Sequence, residues 1–273
     1  MKLDLHIHTN ISDGSFSISE VLQRSKEKAV THIGITNHDT VCGLKEAIEF
    51  SKKMGIKVIP GIEISAYDKE TKRKIHILGY NFNLKGENIR KICDPILNQR
   101  HNNSLWQIEQ LIKNGYKIDV NNIFLKAKTS KVIYKKHIME ELIDKKYTDK
   151  IYSDLYRILF KNNGICARNI NYADAYEAVK AIKKDGGIPV LAHPGQLKSY
   201  DFIEKLIESG LKGIEIYHIS HNEEDHKKIR NLSKKYNLIL TGGSDFHGKY
   251  GDNNVSIGDI ESPKEFFNYL VSN

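Results

Sequence analysis

The feature that most restricts this chain is a repeated unit: a short apolar run that ends in a histidine, aspartate or glutamate. It occurs at LDLHIH (3–8), IGITNHD (33–39), VIPGIE (58–63), IHILGY (75–80), VLAHPG (190–195) and LTGGSDFH (240–247). Amphipathic stretches separate these runs. Ser17 and Glu20 fit a capping box ahead of Val21, Leu22, Ser25 and Ala29. Leu44, Ala47, Ile48 and Ser51 mark a second helix, which Gly55 ends. With strands at 2–7, 32–36 and 56–60, this alternation predicts parallel strands joined by crossover helices, and KIHILGY adds a further strand.

From about Gly86 the rhythm changes. Residues 88–113, 131–144 and 149–161 read as helices, with no strand signal between them. Alternation then resumes with helices at 174–185, 201–208 and 223–236, strands IPVLA, GIEIY and LILTG, and a last helix after Pro263. The seven or so strands predict an α/β fold, a closed or nearly closed barrel interrupted by a mainly helical insertion. Residues 1–85 supply its first part, 86–171 the insertion and 172–273 the second part. In such barrels chemistry gathers at the C-terminal ends of the strands. His6, His8, His38, Glu63, His193, Asp245 and His247 fall there, whereas His76 lies within its strand.

Composition excludes several classes. No run of eighteen apolar residues suggests a membrane span, and the N-terminus lacks the basic and cleavage-site regions of a secretory leader. Cys42, Cys93 and Cys166 are widely spaced and form no CxxC pair, which predicts neither a disulfide framework nor a cysteine-zinc site and suits a reducing cytoplasm. The formal charge of +8 invites a nucleic-acid partner, but Lys, Ile and Asn are abundant throughout, which reads as compositional bias. The excess is uneven: Lys113 to Lys161 holds twelve Lys or Arg against six Asp or Glu.

His6 and His8, two apart on a strand, point to one side together with Asp4, which is placed to orient a ligand. Asp13 in SDG suits a turn. In TNHDT, Asp39 or Thr40 suits a helix cap, which leaves His38 unexplained. Glu63 lies among apolar residues, where a carboxylate is costly unless paired or metal-bound. Singly each has a structural explanation. Together, six of the twelve histidines and three carboxylates lie at or near strand ends. Such a donor set, without cysteine, suits two or three divalent ions of Mn, Fe or Zn better than Mg or Ca.

DLHIHTNISDG, TNHDT, PGIEIS, HILGY, AHPG and GSDFHG together resemble the motif series of the PHP (polymerase and histidinol phosphatase) family, most of all its small stand-alone, TrpH-like phosphoesterases. The resemblance implies a distorted (β/α)7 barrel with a trinuclear site. His6, His8, Glu63 and Asp245 would hold one ion; Glu63, His76 and His193 a second; Asp13, His38 and His247 a third. Asn37 departs from the family's usual aspartate, and a retained hydrogen bond would make that change small. The insertion would cover the cleft, with Lys135, His137, Arg168, His218 and His221 reaching substrate.

The implied activity is hydrolysis of small phosphate monoesters by a metal-activated hydroxide, with no separate protein base. Nucleotides such as 3′,5′-bisphosphates or nucleoside monophosphates, or the 5′ ends of short RNA, are the expected substrates, and no obligate protein partner is expected. Histidinol-phosphate phosphatase is the alternative within the fold, against which Asp13 and the long insertion speak. A noncatalytic, metal-stabilised nucleic-acid-binding module is the alternative outside it, against which the intact ligand set speaks.

Overall fold

Strand β1 (Leu3–Ile7) is buried along its whole length, as a strand covered on both faces must be. The computed structural model describes residues 1–251 and 255–272; of the expected second barrel part, residues 252–254 and 273 lie outside them. Helix α1 (Ile18–Glu27) carries the expected capping box: Glu20 N–H donates to Ser17 Oγ at 3.3 Å, and Ser17 N–H to Glu20 Oε2 at 2.8 Å. It leads to β2 (His32–Ile35), then α2 (Leu44–Lys52) and β3 (Lys57–Tyr67); β1, β2 and β3 are parallel. The cap expected of Asp39 or Thr40 falls instead to Gly43, because the Asp39 carboxylate accepts from Ser65 N–H and Arg100.

Strand β4 (Lys74–Tyr80) runs antiparallel to β3. The parallel expectation fails here because only a short turn, with no crossover helix, joins the two. After β4 come α3 (Glu87–Lys113), α4 (Val120–Lys126), α5 (Lys135–Asp144) and α6 (Asp154–Phe160). Helix α4 was not foreseen, and α5 and α6 are shorter than the sequence suggested. Their core is separate, built from residues such as Ile108, Leu111, Ile123, Ile138, Met139, Leu142 and Phe160.

The short β5 (Ala173–Asp174) pairs with β3, and α7 (Ala175–Lys184) follows. Strand β6 (Ile188–Leu191) is antiparallel to β4, then come α8 (Pro194–Leu197), α9 (Ile203–Ser209), β7 (Gly213–Tyr217), α10 (Glu223–Tyr236), β8 (Ile239–Gly242) and α11 (Lys264–Ser272). The order β1-β2-β3-β4-β6-β7-β8 gives seven main strands. Its ends approach through His8 N–H, which donates to the Phe246 carbonyl at 2.9 Å. The sheet is therefore a nearly closed, distorted α/β barrel. Apolar residues of the sheet and surrounding helices form the main core, and Phe266 of α11 packs in another with Leu3, Leu5 and Tyr80.

Strands β1 and β2 pack closely enough that a Cβ on Gly34 would lie 2.4 Å from the Leu5 carbonyl oxygen. Gly34→Ala should destabilise the fold by about 1–3 kcal/mol, read as a fall in thermal midpoint of roughly 2–4 °C per kcal/mol. An unchanged midpoint would show that the backbone gives way freely here.

Candidate metal centre

Alternation along β1 sends Asp4, His6 and His8 to one face, and all three are buried. His38 follows β2 and bridges to Glu63 on β3. His76 is the third residue of β4; because that strand is reversed, its beginning lies beside the ends of its neighbours, opposite Ser65. This accounts for the one histidine that the sequence placed inside a strand. His193 follows β6 and caps α8, and Asp245 follows β8, with φ of 23° and 51°, while Asp39 has φ of 59°. Three non-glycine residues in this region, each costing on the order of 1–3 kcal/mol, mark a strained, functionally shaped rim. Gly243 lets the last loop approach β1, since a Cβ there would sit 2.3 Å from His6 N.

Glu63, 1% exposed, is the meeting point. Its Oε1 lies 2.7 Å from His76 Nδ1 and 2.8 Å from His193 Nε2. Its Oε2 lies 3.3 Å from His6 Nε2, 3.1 Å from His8 Nε2 and 3.3 Å from His38 Nε2. Asp245 Oδ1 is 3.3 Å from His6 Nε2 and 3.2 Å from His8 Nε2. Asp13 Oδ1 is 3.4 Å from His247 Nε2 and 3.7 Å from His8 Nδ1. Three groups result, each with ligand atoms mutually within 4.8 Å: His6, His8, Glu63 and Asp245; His38, Glu63 and His76; His8, Asp13, His38 and His247.

These contacts suit shared cations better than hydrogen bonds. Among the described residues, His6 Nε2, both ring nitrogens of His8, His247 Nε2 and Asp245 Oδ1 are buried without a hydrogen-bond partner. Such atoms are costly to bury unless something else satisfies them. Ligands about 2.1 Å from one ion stand roughly 3.0–3.4 Å apart, the spacing seen around Glu63 Oε2, whereas Oε1 hydrogen-bonds His76 and His193 at 2.7 and 2.8 Å. Burial would raise the pKa of Glu63, yet His38, His76 and His6 hold it well below the usual carboxylate range. Burial likewise opposes charge on His6, but Glu215, Asp245 and Glu63 push its pKa well above the ordinary imidazole value. The buried carboxylates are therefore stabilised by positive charge at this spot, which divalent cations would supply. The cluster's nitrogen and oxygen donors fit that role.

Neighbouring residues steady this cluster. Glu215 was not singled out from sequence, although a glutamate in the apolar strand GIEIY was a usable signal. It is fully buried, 3.0 Å from His6 Nδ1, and accepts His193 N–H at 2.8 Å. Asp4 accepts Ser244 and Gly258 N–H at 2.9 and 2.8 Å and the His6 backbone N–H at 3.4 Å, fixing the last loops to β1. Asn37 Oδ1 accepts from Thr9 N–H and Ser12 Oγ, bonds that aspartate would also accept. Arg100 donates to Asp39 Oδ2 at 2.7 Å, and no pattern in its polar surroundings revealed it. Lys136 Nζ lies 3.0 Å from Asp13 Oδ2.

The substrate candidates separate. Lys135 and Arg168 line a cavity of about 220 Å³ beside the cluster. His137 accepts Tyr134 N–H on Nδ1 at 3.1 Å, and burial pushes its pKa down to about 4; it is turned into the start of α5. His218 lies beside Asp245, with Nε2 3.3 Å from Oδ2. His221 is occupied on both nitrogens by the Ile216 carbonyl at 2.7 Å and Gly195 N–H at 3.1 Å. Because Glu63 faces two of the three groups, Glu63→Ala should lower bound metal by more than one ion per chain, whereas Asp13→Asn should lower it by about one. Elemental analysis of the purified variants reads the difference, and equal losses would count against a bridging Glu63.

Known proteins resemble this chain over nearly its full length. The PHP domain family model matches residues 4–188. A phosphoribosyl 1,2-cyclic phosphate 1,2-diphosphodiesterase of Eggerthella lenta is 45% identical over 91% of this chain and 95% of its own length. A 3′,5′-nucleoside bisphosphate phosphatase of Chromobacterium violaceum is 26% identical over 95% of this chain and 91% of its own. A 5′-3′ exoribonuclease of Haemophilus influenzae is 27% identical over 90% of each. Among solved structures, an amidohydrolase of Chromobacterium violaceum with bound sulfate shares the fold at a TM-score of 0.86 and 24% identity, covering 100% of this chain and 96% of that one. The chain belongs to the PHP domain family of metal-dependent phosphoesterases.

Proposed function

We propose that this protein hydrolyses phosphate esters of small phosphorylated riboses, a cyclic phosphodiester on the sugar ring foremost. The observation that carries the reading is Glu63, a buried carboxylate whose two oxygens face two sets of imidazoles beside a small cationic cleft. The 45% identity to the Eggerthella lenta phosphodiesterase supports the ribose phosphate. So does the cavity, whose 220 Å³ falls below the roughly 300–1,000 Å³ of sites that enclose drug-sized ligands. Nucleoside 3′,5′-bisphosphates, nucleoside monophosphates and the 5′ ends of short RNA form the second reading. Tyr134, Tyr156 and Tyr172 on the cleft wall favour it, since aromatic faces stack on bases. Histidinol phosphate fits poorly, because its ammonium group would enter a cationic cleft.

In this reading His6, His8, Asp13, His38, Glu63, His76, His193, Asp245 and His247 hold two or three ions of Mn, Fe or Zn. Bound divalent cations supply Lewis acidity to phosphoryl oxygens and lower the pKa of water. The protein's own part is positioning. Glu215 fixes the His6 ring and the backbone of His193. Lys136 balances Asp13 between the cluster and the cleft. Arg100 and Tyr134, from α3 and the start of α5, grip Asp39 and the His38 carbonyl, so that residues 86–171 act as a lid between barrel parts 1–85 and 172–273. Water adds across one P–O bond, its oxygen passing to phosphorus and a proton to the sugar oxygen. No side chain is assigned as general base. Three free cysteines suit a reducing, cytoplasmic setting; among the described residues no helix is long and apolar enough to cross a membrane.

With Mn²⁺ supplied, the purified protein should turn over phosphoribosyl cyclic phosphate with higher kcat/KM than a nucleoside 3′,5′-bisphosphate. Chelation, or His6→Ala combined with His193→Ala, should lower the rate at least about a hundredfold. Phosphate-ester hydrolysis that persists in the double variant would end this reading, and faster turnover of the bisphosphate would move the assignment to nucleotides.

A further inference from the structure

Among the described residues, His218 and His221 stand outside the three ligand groups, yet every ring nitrogen they have is engaged. Both lie in the loop between β7 and α10, whose shape is set locally. Asn222 caps α10 by accepting Glu224 and Asp225 N–H, and Asp225 Oδ2 accepts Asn222 N–H at 3.1 Å. His221 N–H donates to the His218 carbonyl at 3.0 Å, closing the turn before the cap. The hydrogen bonds then decide where each ring carries its proton, because a backbone N–H can only donate. Ser220 N–H donates to His218 Nδ1 at 3.1 Å, and Ser220 Oγ lies 2.7 Å from the same atom. His218 is therefore protonated on Nε2, which donates to Asp245 Oδ2 at 3.3 Å. His221 is the reverse: Gly195 N–H donates to Nε2 at 3.1 Å, so Nδ1 carries the proton and donates to the Ile216 carbonyl at 2.7 Å.

Each ring reaches a neighbouring loop that bears a candidate metal ligand. His218 occupies one oxygen of Asp245, while the other, Oδ1, is buried 3.3 Å from His6 Nε2 and 3.2 Å from His8 Nε2. His221 holds Gly195, just past His193, whose φ of 23° persists only where contacts fix it. The approach requires glycine, since a Cβ at Gly195 would stand 2.7 Å from His221 Cδ2 and 2.8 Å from Asp225 Cγ. Tyr200, later in the same loop, adds a second tie by donating to Asp225 Oδ1 at 2.6 Å. We propose that His218 and His221 are positioning residues, locked as opposite neutral tautomers, that brace the two ligand-bearing loops beside them. His218 turns Asp245 so that Oδ1 is the oxygen offered to cations, and His221 holds His193 in its strained conformation. The inference rests on the metal-centre reading for what Asp245 and His193 bind, and is independent of which ester is hydrolysed.

Long-range ¹H–¹⁵N correlation of the imidazoles, recorded on diamagnetic Zn²⁺-loaded protein labelled at histidine, reads both tautomers directly. His218 should appear as Nε2–H and His221 as Nδ1–H, each identified by the signal lost on its substitution. His218→Leu and His221→Leu should each weaken Mn²⁺ binding, titrated against a competing chelator, by about 10–100-fold. His218→Gln, which keeps a donor near the place of Nε2, should recover most of that loss, whereas the shorter amide of His218→Asn should not. Inorganic phosphate affinity at saturating Mn²⁺ should stay within about threefold in every variant, because a lost hydrogen bond to that anion would cost about tenfold or more. The opposite tautomer at either ring, Mn²⁺ affinity unchanged in either leucine variant, no recovery in His218→Gln, or phosphate binding lost while metal binding holds would each overturn the bracing role. The tautomers are read in the wild-type chain, so a variant that fails to fold leaves the test intact. A failed hydrolysis assay would count against the proposed activity alone.

Discussion

One buried carboxylate constrains everything around it. Glu63 sits at the centre of a sheet, where an isolated charge would be strongly unfavourable, and five imidazoles close on its two oxygens. Those rings come from β1, the loop after β2, β4 and the loop after β6, so the carboxylate can be satisfied only when the barrel has assembled around it. Folding and formation of the cluster are in that sense one event. The site is built to be complete with cations present, as the partnerless buried nitrogens and the strongly displaced acidities of Glu63 and His6 indicate.

The cluster is held by residues that serve it at one remove. Glu215 reaches both His6 and the backbone of His193, joining β7 to β1 and β6. Asp4 spends its charge on the backbone of Ser244 and Gly258, setting the loop that presents Asp245. Positive φ at Asp39, His193 and Asp245 turns the chain sharply at the ends of the strands. Conformations of this kind persist only where surrounding contacts fix them, and here the buried hydrogen bonds provide that support.

The helical segment contributes a different chemistry. Its interior packs separately, yet Arg100, Tyr134 and Lys136 reach down to Asp39, His38 and Asp13. A neutralised floor thus meets a wall of cations that, among the described residues, lack carboxylate partners. That contrast separates a place suited to metal ions from one suited to an anionic ligand. It also limits size, since aromatic rings and the bases of the lysines crowd a cavity of about 220 Å³.

The sequence by itself determined the repeated apolar runs, and with them most strands, the alternation with helices and the helical interruption. Period and capping are local properties, so Ser17, Glu20 and the strand at 3–7 were legible. So was the gathering of His6, His8 and His38 near strand ends, whereas Glu63, expected just past a strand, lies inside β3, which runs on to Tyr67. Tertiary structure alone decided the reversal of β4, since direction depends on pairing rather than on composition, and that reversal brings His76 to the rim. It alone assigned Asp39 to Arg100 instead of to a helix cap, turned His137 inward and occupied both nitrogens of His221. The importance of Glu215 and Arg100 also emerged only there, because a charged side chain does not reveal in sequence which distant group will neutralise it. Local periodicity is written in the chain, whereas the pairing of buried charges exists only once distant segments share a low-dielectric interior.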